Sequence, residues 1–230
     1  MPNALLKSYN APMTQLPMPL EERTPIREEL IRAELNIERW PLFTTSQFKG
    51  TSREYVRQEV LPTGSVKQRK IVIGRIVDKE VGVLRILDLK CYYALIKLWE
   101  DAGRPVDRPV VFAIHQISNL LGKSWSGRSL QQIKTSLHKL RKIPIDWINS
   151  FYQKDAKSYE ELLETFSILS ELKIYERREF GNLKQALSAF RFNERLLRNL
   201  LNNHSKPLHL EVVLRLEKEV SMLLYRICQN

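Results

Sequence analysis

The 230-residue chain has little cysteine, histidine or glycine, and each shortage removes a class of chemistry. Its two cysteines, Cys91 and Cys228, stand far apart in apolar surroundings, which suits reduced, buried thiols and argues against a disulfide framework. The four histidines, His115, His138, His204 and His209, fall at no metal-ligand spacing with either cysteine, so no metal is expected. With 8 glycines there is neither a Walker loop nor a dinucleotide-binding pattern, and no cofactor is implied. The carboxylates Glu160, Glu161, Glu164 and Glu171 form a run that nothing ties into a catalytic pair, so the expectation is a protein without enzymatic activity. Long hydrophobic runs are missing too. No stretch approaches the roughly 20 apolar residues of a membrane span, and the start, with Pro2, Pro12, Pro17 and Pro19, has no apolar run of the signal-peptide kind. A cytoplasmic protein without a membrane partner is expected.

Acidic residues are scarce in one place only. The chain carries 37 Lys and Arg against 26 Asp and Glu, a net charge of +11. Residues 1–60 hold 8 basic and 8 acidic side chains, residues 61–150 hold 16 and 7, and residues 151–230 hold 13 and 11. The middle segment therefore holds nearly all the excess. No acid occurs between Asp107 and Asp146, while Arg108, Lys123, Arg128, Lys134, Lys139, Arg141 and Lys142 all fall there. A continuous positive face, of the sort that meets polyanions, is possible in that stretch.

Along the chain, residues 1–23 read as a flexible leader because proline breaks regular structure and few large apolar side chains are available to bury. Thr24 and Pro25 suit a helix start, with Glu28 in the first turn and Ile26, Leu30 and Ile31 on the apolar side, and the helix should stop before Pro41. Trp40, Pro41, Leu42 and Phe43 form a dense apolar knot that suits a core. Alternating Val and Ile over Arg53 to Leu87, with Pro62-Thr63-Gly64 between, predict a β-hairpin. Asp88 suits the cap of a helix running to about Asp101, with Tyr92, Leu95, Ile96 and Trp99 inward and Gly103 past its end.

Val110 to Ala113 reads as a short extended piece, and Ile114 to Leu121 as a compact helix closed by Gly122. Lys123, Ser124, Trp125 and Ser126 link it to a longer helix over about Gly127 to Arg141, which could instead begin at Ser129, and Pro144 ends it. Ile145 to Tyr152 reads as a strand and Gln153 to Ser158 as a polar tip. Tyr159 to Arg178 has helix-favouring Glu and Leu but strand-favouring Phe166, Ile168, Leu172, Ile174 and Tyr175, and propensity leaves both open. After Gly181 come an apolar segment around Phe190 and Phe192, a helix near Glu194 to Leu201, a loop at Asn202 to Lys206 and a closing helix over Leu210 to Ile227.

Helix, short strand, short helix, turn, basic helix, strand, polar tip and strand is the order of a winged helix-turn-helix, whose second helix of the pair enters the major groove. At about 100° per residue Leu130, Ile133, Leu137 and Leu140 share one narrow arc, so Arg128, Gln131, Gln132, Thr135, His138, Lys139 and Lys142 point outward. Arg and Gln can hydrogen-bond base edges in bidentate fashion, while Lys mainly holds phosphate. Lys134 and Arg141 lie at the margins. Lys123 and Ser126 in the turn, and Lys154 and Lys157 at the tip, complete the expected contacts with double-stranded DNA. The bland alternative is a solvated face of an amphipathic helix.

These residues also carry a resemblance. Glu34-Leu35-Asn36 followed by Pro41-Leu42-Phe43, then Tyr93-Ala94-Leu95-Ile96-Lys97-Leu98, then Gly127-Arg128-Ser129 leading into Leu137-His138-Lys139-Leu140, and finally Leu223-Leu224-Tyr225-Arg226 make the chain similar to the plasmid replication initiator protein A family from about residue 30 onward. Each motif is short and none is catalytic, so the specificity lies in their order. The resemblance implies a bacterial initiator that binds origin repeats through winged-helix domains. It also implies opening of an AT-rich region with host initiator and helicase proteins, and repression of its own promoter as a homodimer. It marks Gly127 as the start of the recognition helix and Arg128 as the leading contact.

The fold expected is therefore α+β, a winged helix-turn-helix with an N-terminal hairpin. The division is a leader over 1–23, an N-terminal extension with the DNA-binding domain over 24–180, and a partial second winged-helix-like unit over 181–230. Family members look like two such units in tandem, and this chain reaches Asn230 after what reads as the first helix of the second. Two other functions fit the same residues: a winged-helix transcriptional repressor, and a protein-interaction module whose basic helix meets an acidic partner.

Overall fold

A computed structural model of the chain describes residues 29–50, 52–74, 83–159, 163–175 and 187–228. The leader expected over 1–23 and the helix start at Thr24 and Pro25 lie outside the described residues.

The first described element corrects an expectation. Leu30–Glu34 is a strand, β1, with Ile31 and Ala33 buried at alternate positions. It pairs antiparallel with Ser205–His209, Leu30 facing His209 and Glu34 facing Ser205. That distant partner supplies a ladder and a buried face that outweigh local helix preference. Helix follows only in α1 (Leu35–Arg39), capped by the Glu34 carboxylate, which accepts from the Ile37 N–H at 2.9 Å. Trp40, Leu42 and Phe43 enter the core as their density predicts.

β2 (Arg53–Val60) and β3 (Val66–Ile73) form the expected hairpin, Val60 opposite Val66. α2 (Ile86–Asp101) begins three residues earlier than expected. Arg85 is its cap residue, and Asp88 is the third helical residue, whose carboxylate reaches back to accept from the Arg85 N–H at 2.7 Å. Tyr92, Tyr93, Leu95, Ile96 and Trp99 make α2 the buried axis of the molecule. β4 (Val110–Phe112), α3 (Ile114–Leu120) and α4 (Gly127–Lys142) fall where the sequence puts them. Gly122 turns the chain between the two helices at a φ of 61°, a left-handed conformation that glycine adopts without penalty.

The chain after α4 departs from expectation. β5 (Ile145–Ile148) is cut short because Asn149 takes a φ of 53°. β6 (Tyr152–Gln153) and β7 (Ser158–Tyr159) flank the polar tip, and the ambiguous stretch is extended where it is described, as β8 (Leu163–Phe166) and β9 (Leu169–Lys173). β10 (Ser188–Phe192) and α5 (Glu194–Leu201) follow. The expected loop at Asn202 to Lys206 runs into a strand, β11 (Ser205–His209), the partner of β1. The single closing helix is two, α6 (Leu210–Arg215) and α7 (Glu219–Cys228). Leu216 is extended at the break, and Lys90 Nζ donates to the carbonyls of Leu214 and Leu216, both at 2.8 Å, which satisfies the end of α6.

The described strands form antiparallel sheets ordered β2-β3-β5-β8 and β4-β10-β9, with two-stranded pairs β1-β11 and β6-β7. β5 and β8, outside the tip's own β6-β7 pair, therefore belong to the sheet of the N-terminal hairpin, and β4 pairs with β10 instead. The cause is apolar: Ile145, Trp147 and Phe166 bury together with Ile71 and Ile73. The architecture is mixed α+β. One cluster of buried side chains runs from Ile31 through Leu137 and Phe190 to Met222, and the boundary expected at 180/181 falls outside the described residues. Cys91 is buried as expected. Cys228 is exposed, at the last turn of α7 on the side that also exposes Leu224 and Ile227.

Candidate nucleic-acid interface

Ser126 decides where α4 begins. Its Oγ accepts from the Ser129 N–H at 3.2 Å, so the helix starts at Gly127 and the capping hydroxyl is turned to the backbone instead of outward. Ile133, Leu137 and Leu140 are buried against the core. On the opposite face Arg128, Gln131, Gln132, Thr135, His138, Arg141 and Lys142 are exposed, and Lys134 is half-buried at the margin, as the 100° spacing predicts. Arg128, Arg141 and Lys142 form no ion pair among the described residues. Lys139, Arg141 and Lys142 in the last turn also suit the negative end of the helix dipole.

Lys139 departs from its expected place. Its side chain is 17% exposed and its Nζ lies 3.5 Å from Asp88 Oδ2, whose side chain is 2% exposed. Burial pushes the Asp88 carboxyl up, and the Lys139 ammonium, the Ser136 hydroxyl and the Arg85 N–H oppose that rise. Lys139 thus fastens α4 to the first turn of α2. Between these helices runs a cleft of about 430 Å³ lined by Arg85, Arg128, Gln131, Gln132, Thr135 and Lys139. Arg85 escapes sequence reasoning, because only the packing of α2 on α4 brings it there. Its Nη1 donates to the Ser46 carbonyl at 2.9 Å. Lys123, in the turn before α4, donates to Gln132 Oε1 at 3.5 Å.

Lys154 and Lys157 are exposed on the β6–β7 turn, with Lys157 at a φ of 49°. This tip is moored elsewhere: the Lys154 N–H donates to Asn199 Oδ1 at 3.1 Å and the Tyr152 N–H to Asn36 Oδ1 at 3.0 Å. Both asparagines also donate to Glu34 Oε1, at 2.8 Å from Asn36 and 2.9 Å from Asn199. Burial pushes the Glu34 carboxyl up to about 7 against these hydrogen bonds. His204, whose ring lies 4.8 Å from that of Tyr152, is pushed down to about 4, by burial first and then by Arg39 and Lys154. Near the chain's far end Arg226 Nε donates to Glu38 Oε2 at 2.9 Å, and the Tyr93 hydroxyl donates to the same carboxylate at 3.0 Å. The sequence motifs around Glu34 and Arg226 are therefore braces of the core, and the one at Gly127 to Lys139 carries the exposed polar face.

Among the described residues no cluster of His, Cys, Asp or Glu could hold a metal ion, and no helix is long and apolar enough to cross a membrane.

Two solved structures share the fold. Domains 2 and 3 of RctB, as selenomethionine derivatives, match with a TM-score of 0.54 at 15% identity, covering 83% of this chain and 66% of that one. A second crystal structure of RctB domains 2-3 matches with a TM-score of 0.56 at 14% identity, covering 84% and 68%. This chain spans about two thirds of the length of both. No curated protein matches it in sequence. The sequence profile described as Replication initiator protein A matches residues 32–230.

Proposed function

The chain belongs to the Replication initiator protein A family, and from that premise we propose that it is a non-enzymatic initiator that binds repeated sites in origin DNA through a winged helix. In this reading α2, β4, α3 and α4 are the three-helix core with its first strand, α4 is the recognition helix, and β9 and β10 are the closing hairpin. The β6–β7 tip, read as the wing from the sequence, lies outside that hairpin. The pairing of β4 with β10 and of β10 with β9 supports this assignment.

The observation that carries the reading is the outer face of α4. Arg128, Gln131, Gln132, Thr135 and His138 stand exposed in a stretch without acids, beside an arginine-lined cleft, and they combine base-edge readers with phosphate-holding cations. On the family's pattern the bound chain recruits host initiator and helicase and represses its own promoter as a dimer. Those two parts rest on the resemblance alone.

Selection of bound sites from a random duplex pool, followed by footprinting, tests the proposal. Tandem, evenly spaced repeats beside an AT-rich tract are the expected result. A lone palindrome over a promoter would mean a repressor instead, and a chain with no salt-dependent affinity for any duplex would overturn DNA binding altogether.

A further inference from the structure

We propose that Trp125 reads DNA: its indole packs on the 5-methyl group of a thymine in the major groove, beside the base that Arg128 contacts. This rests on the duplex-binding reading and adds to it a residue and the base feature that residue recognises.

The chain has four tryptophans, and three are committed to the interior: Trp40, Trp99 and Trp147 are 4%, 2% and 1% exposed. Trp125 is 61% exposed. An indole carries the largest apolar surface of any side chain, so leaving it in water forgoes stabilisation that the fold could have taken. Its position has an ordinary structural use. Trp125 precedes the Ser126 cap of α4, where an apolar residue often staples onto the fourth helical residue, here Leu130. A staple covers its ring, however, and this one leaves most of the indole bare. The ring stands in a T-shaped pair with His115 of α3, with centroids 6.3 Å apart and planes 83° apart. It is thus steadied between the two helices of the pair without being buried by either.

The surroundings favour DNA over an apolar partner. Trp125 lies three residues before Arg128, at the leading end of α4, and the leading residues of a recognition helix are the ones that reach base edges. Lys123, Ser124, Ser126 and Gly127 flank it in the chain, and no acid occurs between Asp107 and Asp146, so the stretch that carries the ring is basic and made of small residues, a composition complementary to a polyanion. An indole offers one N–H donor and no acceptor, so it cannot make the bidentate contacts that identify guanine or adenine. The apolar feature of the major-groove code is the thymine methyl, and that is what a bare aromatic ring can recognise.

Replacing thymine by deoxyuridine removes this methyl and nothing else. In a duplex selected by the wild-type chain, each thymine is replaced in turn and affinity is measured for wild type, Trp125→Ala and Trp125→Gln. The expected result is at least one position where deoxyuridine weakens wild type by about fourfold, the worth of one buried methyl, and leaves both variants unaffected. Tryptophan emission should also fall when wild type binds, because the other three indoles are inside. A merely stapling Trp125 would lower the melting temperature of the variants yet leave their deoxyuridine profile the same as wild type, and that outcome overturns the inference while DNA binding stands. Insensitivity of wild type to every replacement overturns it as well. If wild type binds no duplex at all, the function proposed above fails together with it.

Discussion

Lys139 answers first to Asp88, a carboxylate with almost no access to water. Removing the ammonium leaves that charge buried and poorly compensated, so Lys139→Ala should cost roughly 1–3 kcal/mol in denaturant unfolding, and Asp88→Asn in the same chain should recover much of it. Arg128→Ala should leave stability unchanged. It should cost roughly 1–3 kcal/mol in duplex affinity and relax sequence preference at one position, read by competition among site variants. Glu34 and His204 give a pH signature of opposite signs. Glu34, raised from 4.5 to about 7, contributes stability that is whole below its ordinary range and is lost as pH rises through 7. His204, lowered from 6.5 to about 4, contributes stability present above its ordinary range and lost as pH falls through 4. In melting curves across this range, Glu34→Gln should gain on wild type as pH rises from 4.5 to 7, and His204→Asn should gain as pH falls from 6.5 to 4. None of these partnerships was legible in the sequence. Helical spacing separates an inward from an outward side chain, but it cannot say that an outward lysine meets a carboxylate from another helix, or that Glu34 is enclosed by Asn36 and Asn199.

At the scale of elements, what could be read was what local chemistry decides. α4 was legible because its leucines repeat at helical spacing and Pro144 stops it, while its start, open between Gly127 and Ser129 in the sequence, is fixed by the Ser126 cap; the β2–β3 hairpin was legible from alternation and its Pro-Thr-Gly turn. β1 and β11 were not, since each is a strand only because the other lies beside it. The same holds for the pairing of β4 with β10, on which the winged-helix assignment turns. The turn between α3 and α4 depends on local chemistry again. Gly122 has open space where a Cβ would stand, but its φ of 61° is left-handed, so Gly122→Ala should cost about 1–2 kcal/mol through the backbone alone, measurable as a lower melting midpoint.

For the molecule as a whole the net charge of +11 predicts solution behaviour that no single residue does. Should about five cations meet phosphate, the logarithm of duplex affinity should fall against the logarithm of salt with a slope of about −4 to −5. Arg141→Ala or Lys142→Ala should flatten that slope by about one without changing site preference. The closure of β1 on β11, and of Glu38 on Arg226, has a consequence for biosynthesis. The first described strand has no partner until Ser205–His209 has been translated. While the ribosome still holds those residues, α2 has part of its apolar surface uncovered and Glu38 has no counter-ion. Closure of this part should therefore wait for residue 205 and beyond, and a nascent chain stalled short of residue 205 should be open to proteases along its whole first half.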